Sequence, residues 1–515
     1  MTRREMQESV LVAGKAHAES VDPDDRVLLG AVRPPDWVNP EPRGTYDLIV
    51  LGGGTAGLVS AVGAAGLGAR VALIERHRLG GDCLNTGCVP SKALLRSART
   101  IGEARRALDL GVRVQGVDPD FPAVMRRMRK QRARLSPNDS ARRLQQAGID
   151  VFFGSGRFTS ARVIEVDARS LRFNRAVIAT GTRPSALSVP GLDTIPTLTN
   201  ETLFDLTELP RRLLIVGAGP IGCEMAQAFA RFGSAVTLFD QAPRILPNED
   251  EDAAAIVERR LRDDGVRVEL SVMLTAAMQH GEGARLQYHR ASGAEGGQVD
   301  GDRVLVATGR TANVEGLGLE TANVAVSKDG VVVNDFLRTS NRRVYAAGDV
   351  CSHLKFTHLA DATARIVVQN ALFYGRRRAS ALVTPWCTYT DPEVAHVGLS
   401  GSESRSRGRR VDTITIPLTE VDRAVLDEET DGFVRVHHER GRLLGCTIVA
   451  SHAGEIIGEV AFAMTRGGTL SDLSATIHPY PTQANALHQA GDQYRRSLLT
   501  PRVRSWMERY FRWTR

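Results

Sequence analysis

Two cysteines carry the most specific chemistry in the sequence. Cys83 and Cys88 lie five positions apart in the stretch GGDCLNTGCVPSK, which ends at Lys92. Five positions on an ideal helix would turn these side chains apart, whereas a disulfide needs Cα atoms within about 7 Å. The surrounding glycines let the chain bend, and Pro90 suits the first turn of a helix. We therefore predict a redox-active cysteine pair, with Cys88 at the start of a helix.

The setting of Cys88 favours a thiolate. A helix N-terminus and the ammonium group of Lys92, one turn further on, both stabilise a negatively charged sulfur. The pKa of Cys88 is therefore expected to be lowered. The alternative, two structural or idle cysteines, is disfavoured by the other features of the chain.

Two segments have the pattern of a dinucleotide-binding unit: a buried strand, a glycine turn, a helix, and a second strand that ends in an acid. The first unit contains Gly52, Gly54, Gly57 and Glu75, and the second contains Gly217, Gly219, Gly222 and Asp240. In both units the acid follows the last glycine by 18 residues. The glycines bring a pyrophosphate to a helix N-terminus, and the acid accepts a ribose 2′-hydroxyl. The chain should therefore bind two dinucleotides.

Length and composition are those of a multidomain globular protein. The 515 residues predict two to four domains, and 42% apolar and 24% charged residues are ordinary values. The net charge of +7 comes from arginines scattered among acids, which favours solubility over a nucleic-acid surface. No apolar run follows the first residues, and the most apolar stretch, 57–74, is interrupted by Arg70. We therefore expect a cytoplasmic protein without a signal peptide or membrane span.

These motifs, together with a C-terminal segment of strand-like runs around one amphipathic helix, resemble the pyridine nucleotide–disulfide oxidoreductases. This family includes dihydrolipoamide dehydrogenase, glutathione reductase and mercuric reductase, and the resemblance covers residues 46–495. It implies an α/β fold with two Rossmann-like domains, for FAD and NAD(P), and a C-terminal α+β dimerisation domain. It also implies a homodimer that passes electrons from a reduced nicotinamide through FAD to the cysteine disulfide, and then to a substrate.

The resemblance and the changes in composition divide the chain into six parts. They are an N-terminal arm (1–45), the first part of the FAD-binding domain (46–190), the NAD(P)-binding domain (191–312), the second part of the FAD-binding domain (313–383), the dimerisation domain (384–495) and a basic tail (496–515). The proline-rich arm is expected to lie extended on the surface, with Trp37 as an anchor. The arginine-rich stretch 101–146 is expected to form a solvated helical pair.

The resemblance implies roles for the residues around the cysteines. Cys88 matches the thiol that stacks against the flavin, and Cys83 matches the thiol that exchanges with substrate. Lys92 matches a lysine beside the flavin that pairs with a glutamate, here Glu224. Such a cation can stabilise charge that develops on reduced flavin. The alternative is an ion pair that serves packing alone.

The resemblance also assigns the cofactor sites. The FAD site would comprise the first glycine turn, Glu75, Lys92, Thr180, Gly181, Asp349 and the backbone at Thr357. The nicotinamide site would comprise the second glycine turn, Asp240 and Gly309. Because Asp240 would accept a 2′-hydroxyl and repel a 2′-phosphate, NADH is favoured over NADPH, although Arg244 is near enough to blur this choice. No residue is assigned to a resident metal.

The chain departs from the disulfide-exchanging members near its C-terminus. Those members have a histidine directly before Pro481 and a glutamate shortly after it, and this pair is their acid/base. Here the two positions hold Tyr480 and Asn485. A phenol with a pKa near 10 is a poor base at neutral pH. His478, two residues upstream, is either a substitute or a structural residue.

These differences leave the electron acceptor open between a small-molecule disulfide, a metal ion and another acceptor. Mercuric reductases also have a tyrosine at the position of Tyr480, so metal-ion reduction is the main competitor of an unassigned oxidoreductase activity. Those enzymes carry vicinal cysteines near the C-terminus, whereas no cysteine follows Cys446, and soft metals are normally captured by thiolates. A dihydrolipoamide-dehydrogenase-like enzyme and a membrane-docked flavoprotein with little turnover are further alternatives.

Residues 501–515 have the pattern of a basic amphipathic helix. Five arginines add positive charge, and one face carries Val503, Trp506, Met507, Tyr510 and Phe511. Such a helix either docks on its own dimer or lies on an anionic membrane surface.

Overall fold

The computed structural model describes residues 22–290, 296–401, 403 and 411–515. A seven-stranded sheet, the first sheet, contains the first dinucleotide unit. Its strand Thr45–Leu51 pairs in parallel with Val71–Glu75 on one side and with Arg169–Ile178 on the other. The remaining strands are Asp150–Phe153, Arg157–Ser160, Val163–Val166 and Val344–Ala346. Leu48 to Leu51 are all buried, as expected of a parallel strand covered on both faces.

A second sheet repeats this arrangement with five parallel strands. In spatial order they are Arg267–Glu269, Ala235–Phe239, Arg212–Val216, Arg303–Val306 and Thr197–Leu198. The strand Arg212–Val216 leads into the second glycine turn, just as Thr45–Leu51 leads into the first. The prediction of two Rossmann-like units is confirmed.

The C-terminal part contains a third, antiparallel sheet of five strands. In spatial order they are Pro385–Thr388, Glu393–Gly398, Arg442–Ala450, Phe433–Glu439 and Asp412–Pro417. The helix Ala453–Thr465 buries Ile456, Ile457 and Val460 in the same core as this sheet. This is the predicted α+β arrangement.

Small sheets and helices complete the fold. The short strands are Val272–His280, Gly283–Arg290 and Gly297–Gly301 in one antiparallel sheet, Thr182–Pro184 with Arg310–Ala312, and Val326–Ser327 with Gly330–Val331. The helices are Pro23–Val32, Thr55–Gly66, Gly81–Asn85, Cys88–Arg106, Phe121–Leu135, Ala141–Gln146, Pro220–Phe232, Glu251–Asp263, Thr357–Leu372, Asp422–Leu426, Ala453–Thr465, Leu470–Ala475, Asn485–Ser497 and Pro501–Thr514. Within the described ranges, none of the helices combines the length and apolar character needed to cross a bilayer.

The N-terminal arm is not simply extended. Residues 1–21 lie outside the described residues, but Pro23–Val32 is a helix that buries Leu28 and Val32. Its start is specified by Asp22, whose carboxylate accepts a hydrogen bond from the Asp24 amide at 2.9 Å. Trp37 does act as an anchor, because its indole N–H donates to the Val151 carbonyl at 3.2 Å.

The arginine-rich stretch is not a solvated pair of helices. The helix Phe121–Leu135 buries an apolar face that includes Met125 and Met128. Arg129 and Arg132 on the same helix are also buried, and both form ion pairs with Asp25. Both guanidinium groups therefore share one carboxylate inside the fold, a pairing that local sequence does not indicate.

Candidate redox site

The two cysteines lie at a break between two helices. The short helix Gly81–Asn85 carries Cys83, and the next helix, Cys88–Arg106, begins at Cys88 itself, as Pro90 in its first turn predicts. We call Cys88–Arg106 the redox helix. The bend starts at Gly80, where φ is +85° and a Cβ atom would collide with the Leu84 side chain.

The two thiols differ in how readily they ionise. They are unbridged and hydrogen-bonded to each other, and this bond is the main cause that lowers the pKa of Cys88 and raises the pKa of Cys83. Burial opposes ionisation of both sulfurs, but Thr357, with its Oγ1 3.2 Å from Cys88 Sγ, and the charge of Lys92 lower the pKa of Cys88 further. In the reduced pair Cys88 is therefore the sulfur that ionises more readily, and Cys83 is the one that holds its proton more tightly.

A lysine–glutamate pair lies next to Cys88. Lys92 Nζ is 2.8 and 3.1 Å from the two carboxylate oxygens of Glu224, a residue of the helix Pro220–Phe232 that is only 3% exposed. The same carboxylate accepts a hydrogen bond from the Tyr389 amide at 2.9 Å. Lys92 Nζ also lies 4.5 Å from the centre of the Tyr389 ring. The cation is thus held by groups from two other segments of the chain, at Glu224 and at Tyr389.

Two groups that sequence reasoning missed hold the redox motif from outside. The Arg310 guanidinium pairs with Asp82, the residue before Cys83. Its Nε also donates to Thr182 Oγ1 at 2.7 Å, and that hydroxyl donates to Asp349 Oδ2 at 3.2 Å. Arg310 directly follows Gly309, so this network ties the cysteine motif to the end of the second dinucleotide unit. The Ala-Thr-Gly-Arg sequence marks the position of Arg310 but not its partner.

The helix Phe121–Leu135 supports the motif from another side. Arg132 donates to the Asn85 carbonyl at 2.8 Å, and Asn85 Nδ2 donates to the carbonyls of Leu79 and Gly81 at 3.0 and 2.8 Å. The conformation of the loop between the cysteines is therefore set by buried hydrogen bonds. Because Arg132 lies 47 residues away in the chain, its spacing gave no signal for this role.

The first glycine turn fits a dinucleotide. A Cβ atom on Gly57 would lie 1.8 Å from the Gly52 carbonyl oxygen, so glycine is required for this close approach. The N-cap residue of the helix Thr55–Gly66 is Gly54, which makes no side-chain hydrogen bond to the helix. The first amide groups of the helix are therefore available for a phosphate. Glu75 ends the next strand, and its carboxylate accepts hydrogen bonds from the Gly53 and His77 amides, both at 2.6 Å.

The second turn has the same geometry. A Cβ atom on Gly222 would lie 1.8 Å from the Gly217 carbonyl oxygen, and the helix Pro220–Phe232 starts at Gly219, again without a side-chain cap. Asp240 accepts hydrogen bonds from the Ala218 and Ala242 amides at 2.6 and 2.8 Å. Arg244 donates to the Pro247 carbonyl at 2.8 Å.

The other residues assigned to cofactors lie at the ends of the sheets. Thr180 and Gly181 follow the strand Arg169–Ile178, and the Thr180 hydroxyl donates to the Asn313 carbonyl at 2.7 Å. Burial raises the pKa of Asp349, which follows the strand Val344–Ala346 of the same sheet. Gly309 follows Arg303–Val306, and its carbonyl accepts from the Ser185 amide at 3.0 Å. Carboxyl ends of parallel strands are where α/β sheets bind ligands.

Tyr480 and His478 lie in a different environment. The Tyr480 side chain is 73% exposed, and its hydroxyl donates to Asp422 Oδ2 at 2.8 Å. Both ring nitrogens of His478 are engaged within its own domain, Nε2 by the Glu459 carboxylate at 3.0 Å and Nδ1 by the Thr476 carbonyl at 3.1 Å. Among the residues that the structure describes, no hydrogen bond joins Tyr480 or His478 to the cysteines of the same chain. Their assignment as site residues stays a prediction.

Family models match most of the chain. Residues 46–364 match the pyridine nucleotide-disulphide oxidoreductase model, and residues 384–491 match the dimerisation domain of the same family, which supports a homodimer. In the described residues, His, Cys, Asp and Glu form no cluster of three or more that could hold a metal ion.

Several proteins similar to this chain are oxidoreductases. A mercuric reductase of Streptomyces lividans is 36% identical over 87% of this chain and 96% of its own length. A dihydrolipoyl dehydrogenase of Bacillus subtilis is 32% identical over 86% of this chain and 97% of its own. The HOCl-induced flavoprotein disulfide reductase RclA of Escherichia coli, solved as a Cu(II) complex, has a TM-score of 0.77 at 28% identity, covering 88% of this chain and 100% of that one. The chain belongs to the pyridine nucleotide–disulphide oxidoreductase family, whose members use FAD and a pyridine nucleotide.

Proposed function

We propose that the protein oxidises NAD(P)H and passes the electrons through FAD to the Cys83–Cys88 pair, and from there to an external acceptor. The observation that carries this proposal is the asymmetry of the two thiols. The pKa of Cys88, at the start of the redox helix beside Lys92 and Thr357, is lowered, whereas the pKa of Cys83 is raised. This is the arrangement expected of a charged sulfur on the cofactor side and a thiol that exchanges with substrate.

FAD would be held by Gly52, Gly54, Gly57, Glu75, Thr180, Gly181, Lys92, Asp349 and Thr357. When bound, it supplies the two-electron chemistry that connects a nicotinamide with the thiols. Oxidation of the dithiol forms the Cys83–Cys88 bond and releases two electrons and the Cys83 proton to the acceptor. The Lys92–Glu224 pair, of which only Glu224 is buried, keeps a cation near the thiolate throughout this step. We also propose that Asp240 makes NADH the preferred donor.

The test is an anaerobic titration of the FAD-loaded enzyme with NADH. We expect a long-wavelength charge-transfer band, because a Cys88 thiolate would donate charge to the flavin. Cys88→Ser should abolish the band. Cys83→Ser is the matched control and should show the band before NADH is added, since it keeps the Cys88 sulfur but cannot form the disulfide. A wild-type enzyme without the band would contradict the redox role of the pair.

Reduction of a soft metal ion is a second candidate function. It is favoured by Tyr480, which replaces the usual histidine, and by both nitrogens of His478 being engaged within their own domain. Mercuric reductases are among the relatives, and RclA was solved as a Cu(II) complex. The two electrons of the dithiol suffice for one Hg(II) to Hg(0) or two Cu(II) to Cu(I).

The two candidates separate in an acceptor screen. NADH oxidation is measured with oxidised glutathione, lipoamide, quinones, Hg(II) and Cu(II), each with wild type and with Cys83→Ser. Metal-dependent turnover that requires Cys83, together with slow turnover of disulfides, would establish metal reduction. Fast turnover of a disulfide or a quinone, with metals inert, would rule it out.

A further inference from the structure

The helix Pro501–Thr514 at the end of the chain, called here the C-terminal helix, is not buried by the other residues that the structure describes. None of its residues is buried. Trp506 and Trp513 are 67% and 83% exposed. In the described part of the chain, the hydrogen bonds of this helix join residues of the helix to each other or to its N-cap residue Thr500. The proposed function uses none of the residues of this helix and therefore does not explain its exposed apolar surface.

The apolar and charged residues of this helix are sharply separated. At about 100° per residue, one sector of roughly 160° contains every large apolar side chain: Val503, Trp506, Met507, Tyr510, Phe511 and Trp513. The remaining sector contains Arg502, Arg504, Glu508, Arg509, Arg512 and Arg515. Five arginines and one glutamate give this segment a net charge of +4. Such a combination is unfavourable in water, because the aromatic sector has nothing to pack against.

The helix itself is well specified. Thr500 caps it, with its hydroxyl accepting from the Val503 amide at 3.4 Å, and Pro501 occupies the first turn. Fourteen residues span only about 21 Å, less than the roughly 30 Å hydrocarbon core of a bilayer. The helix is therefore suited to lie in a membrane interface and not to cross it.

We propose that the C-terminal helix binds the surface of an anionic membrane. The aromatic sector would enter the interfacial region, where tryptophan and tyrosine are favoured, and the arginines would face acidic headgroups. A second copy of the chain is a poorer occupant, because a two-fold contact would bring two segments 501–515, each of net charge +4, against each other. The helix also begins beyond residue 491, where the match to the dimerisation domain ends.

The experiment is co-sedimentation of the full-length FAD-loaded protein with vesicles at about 0.1 M salt. We expect at least tenfold stronger partitioning to phosphatidylcholine vesicles with about 30% phosphatidylserine than to pure phosphatidylcholine, since each arginine near an anionic surface contributes. The double variant Trp506→Ser/Trp513→Ser should lose about tenfold or more of this binding, and Arg504→Glu/Arg512→Glu should lose its dependence on phosphatidylserine. The matched controls are Tyr374→Ser and Arg342→Glu, which change exposed residues elsewhere.

A second readout reports directly on the helix. The chain has four tryptophans, of which Trp37 and Trp386 are partly buried. Anionic vesicles should shift the emission to shorter wavelength in wild type but not in Trp506→Ser/Trp513→Ser. Thermal unfolding and NADH-dependent flavin reduction should be the same in all variants, which shows that they are folded.

Two results would overturn the proposal. One is equal binding of wild type to neutral and anionic vesicles. The other is a change from dimer to monomer on size-exclusion light scattering in Trp506→Ser/Trp513→Ser, without vesicle binding by wild type. The second result would assign the aromatic face to a second copy of the chain.

Discussion

The electron-donor side of the cysteine pair and its proposed acceptor side are built in different ways. On the donor side, Lys92 and Glu224 form a close ion pair within one chain, Cys88 is hydrogen-bonded to Thr357, and Glu224 is almost completely buried. On the acceptor side, Tyr480 projects into solvent from a loop in which Ile477 is 94% exposed. The donor side is thus complete within the protomer, whereas the acceptor side awaits a partner subunit or a substrate. Under the proposed function, the chemistry shared by the family would reside in the closed cluster, and the choice of acceptor would reside in the open one.

The largest effect should come from breaking the closed cluster at Lys92. Lys92→Met removes a charge that lowers the pKa of Cys88 and leaves the Glu224 carboxylate buried without its partner. We expect flavin reduction by NADH to slow by about 100-fold. The thiolate is lost as pH falls through the pKa of Cys88, so with this pKa raised the charge-transfer band should disappear at a higher pH than in wild type.

Two variants make this result specific. Lys130→Met changes an exposed lysine elsewhere and should leave the rate and the pH profile unchanged. The double variant Lys92→Met/Glu224→Gln should recover part of the loss, because it also removes the unpaired carboxylate. A band that disappears at the wild-type pH in Lys92→Met would show that the lysine does not act on the thiolate.

A smaller effect is expected at the nicotinamide end of the donor side. Asp240→Ser should lower kcat/KM for NADH by about tenfold, the size of one lost hydrogen bond to a ribose hydroxyl, and should leave NADPH less disfavoured. Arg244→Ala is the control, since the Arg244 side chain is bonded to the Pro247 carbonyl. Stopped-flow reduction with both nucleotides gives the two ratios. A wild-type preference for NADPH would refute the role proposed for Asp240.

The same division separates what the sequence predicts from what it does not. The glycine and acid spacings specify both Rossmann-like units because each spacing is local and depends on one turn and one helix. The ion pair of Arg310 with Asp82 joins residues 228 positions apart, and no periodicity indicates such a contact. The same holds for the hydrogen bond that His478 Nε2 donates to the Glu459 carboxylate. The pairing of Lys92 with Glu224 was expected from the resemblance alone.

The sequence contained a local signal for the helix in the N-terminal arm, but the proline content of the arm outweighed it in the prediction. The prolines at positions 34, 35, 40 and 42 favoured an extended arm, yet Asp22 before Pro23 is an N-cap followed by a proline in the first turn. The helix Pro23–Val32 also supplies Asp25, the partner of two buried arginines. The proline-rich composition of the whole arm therefore predicted an extended chain, although the arm contains a short helix that is stabilised by tertiary contacts.

The smallest effect is expected on the open side, where water can replace a lost donor. Tyr480→Phe should slow turnover of a thiol-forming acceptor by about tenfold or less and should not change flavin reduction by NADH. The Tyr374→Phe change at another exposed tyrosine is the control and should have no effect. Equal slowing of flavin reduction would mean that Tyr480 acts on the donor side.

The pH dependence of turnover tests the role of Tyr480 further, because Asp422 controls the pKa of its phenol. The hydrogen bond and charge of Asp422 raise the pKa of Tyr480, so the phenol remains protonated to a higher pH than an isolated tyrosine. If the neutral phenol donates a proton to the acceptor, turnover falls as pH rises through this pKa. Asp422→Asn lowers the pKa toward its usual value, and the alkaline decline should therefore begin at a lower pH than in wild type. In Tyr480→Phe this decline should be absent, and a decline that persists unchanged would mean that another group supplies the proton.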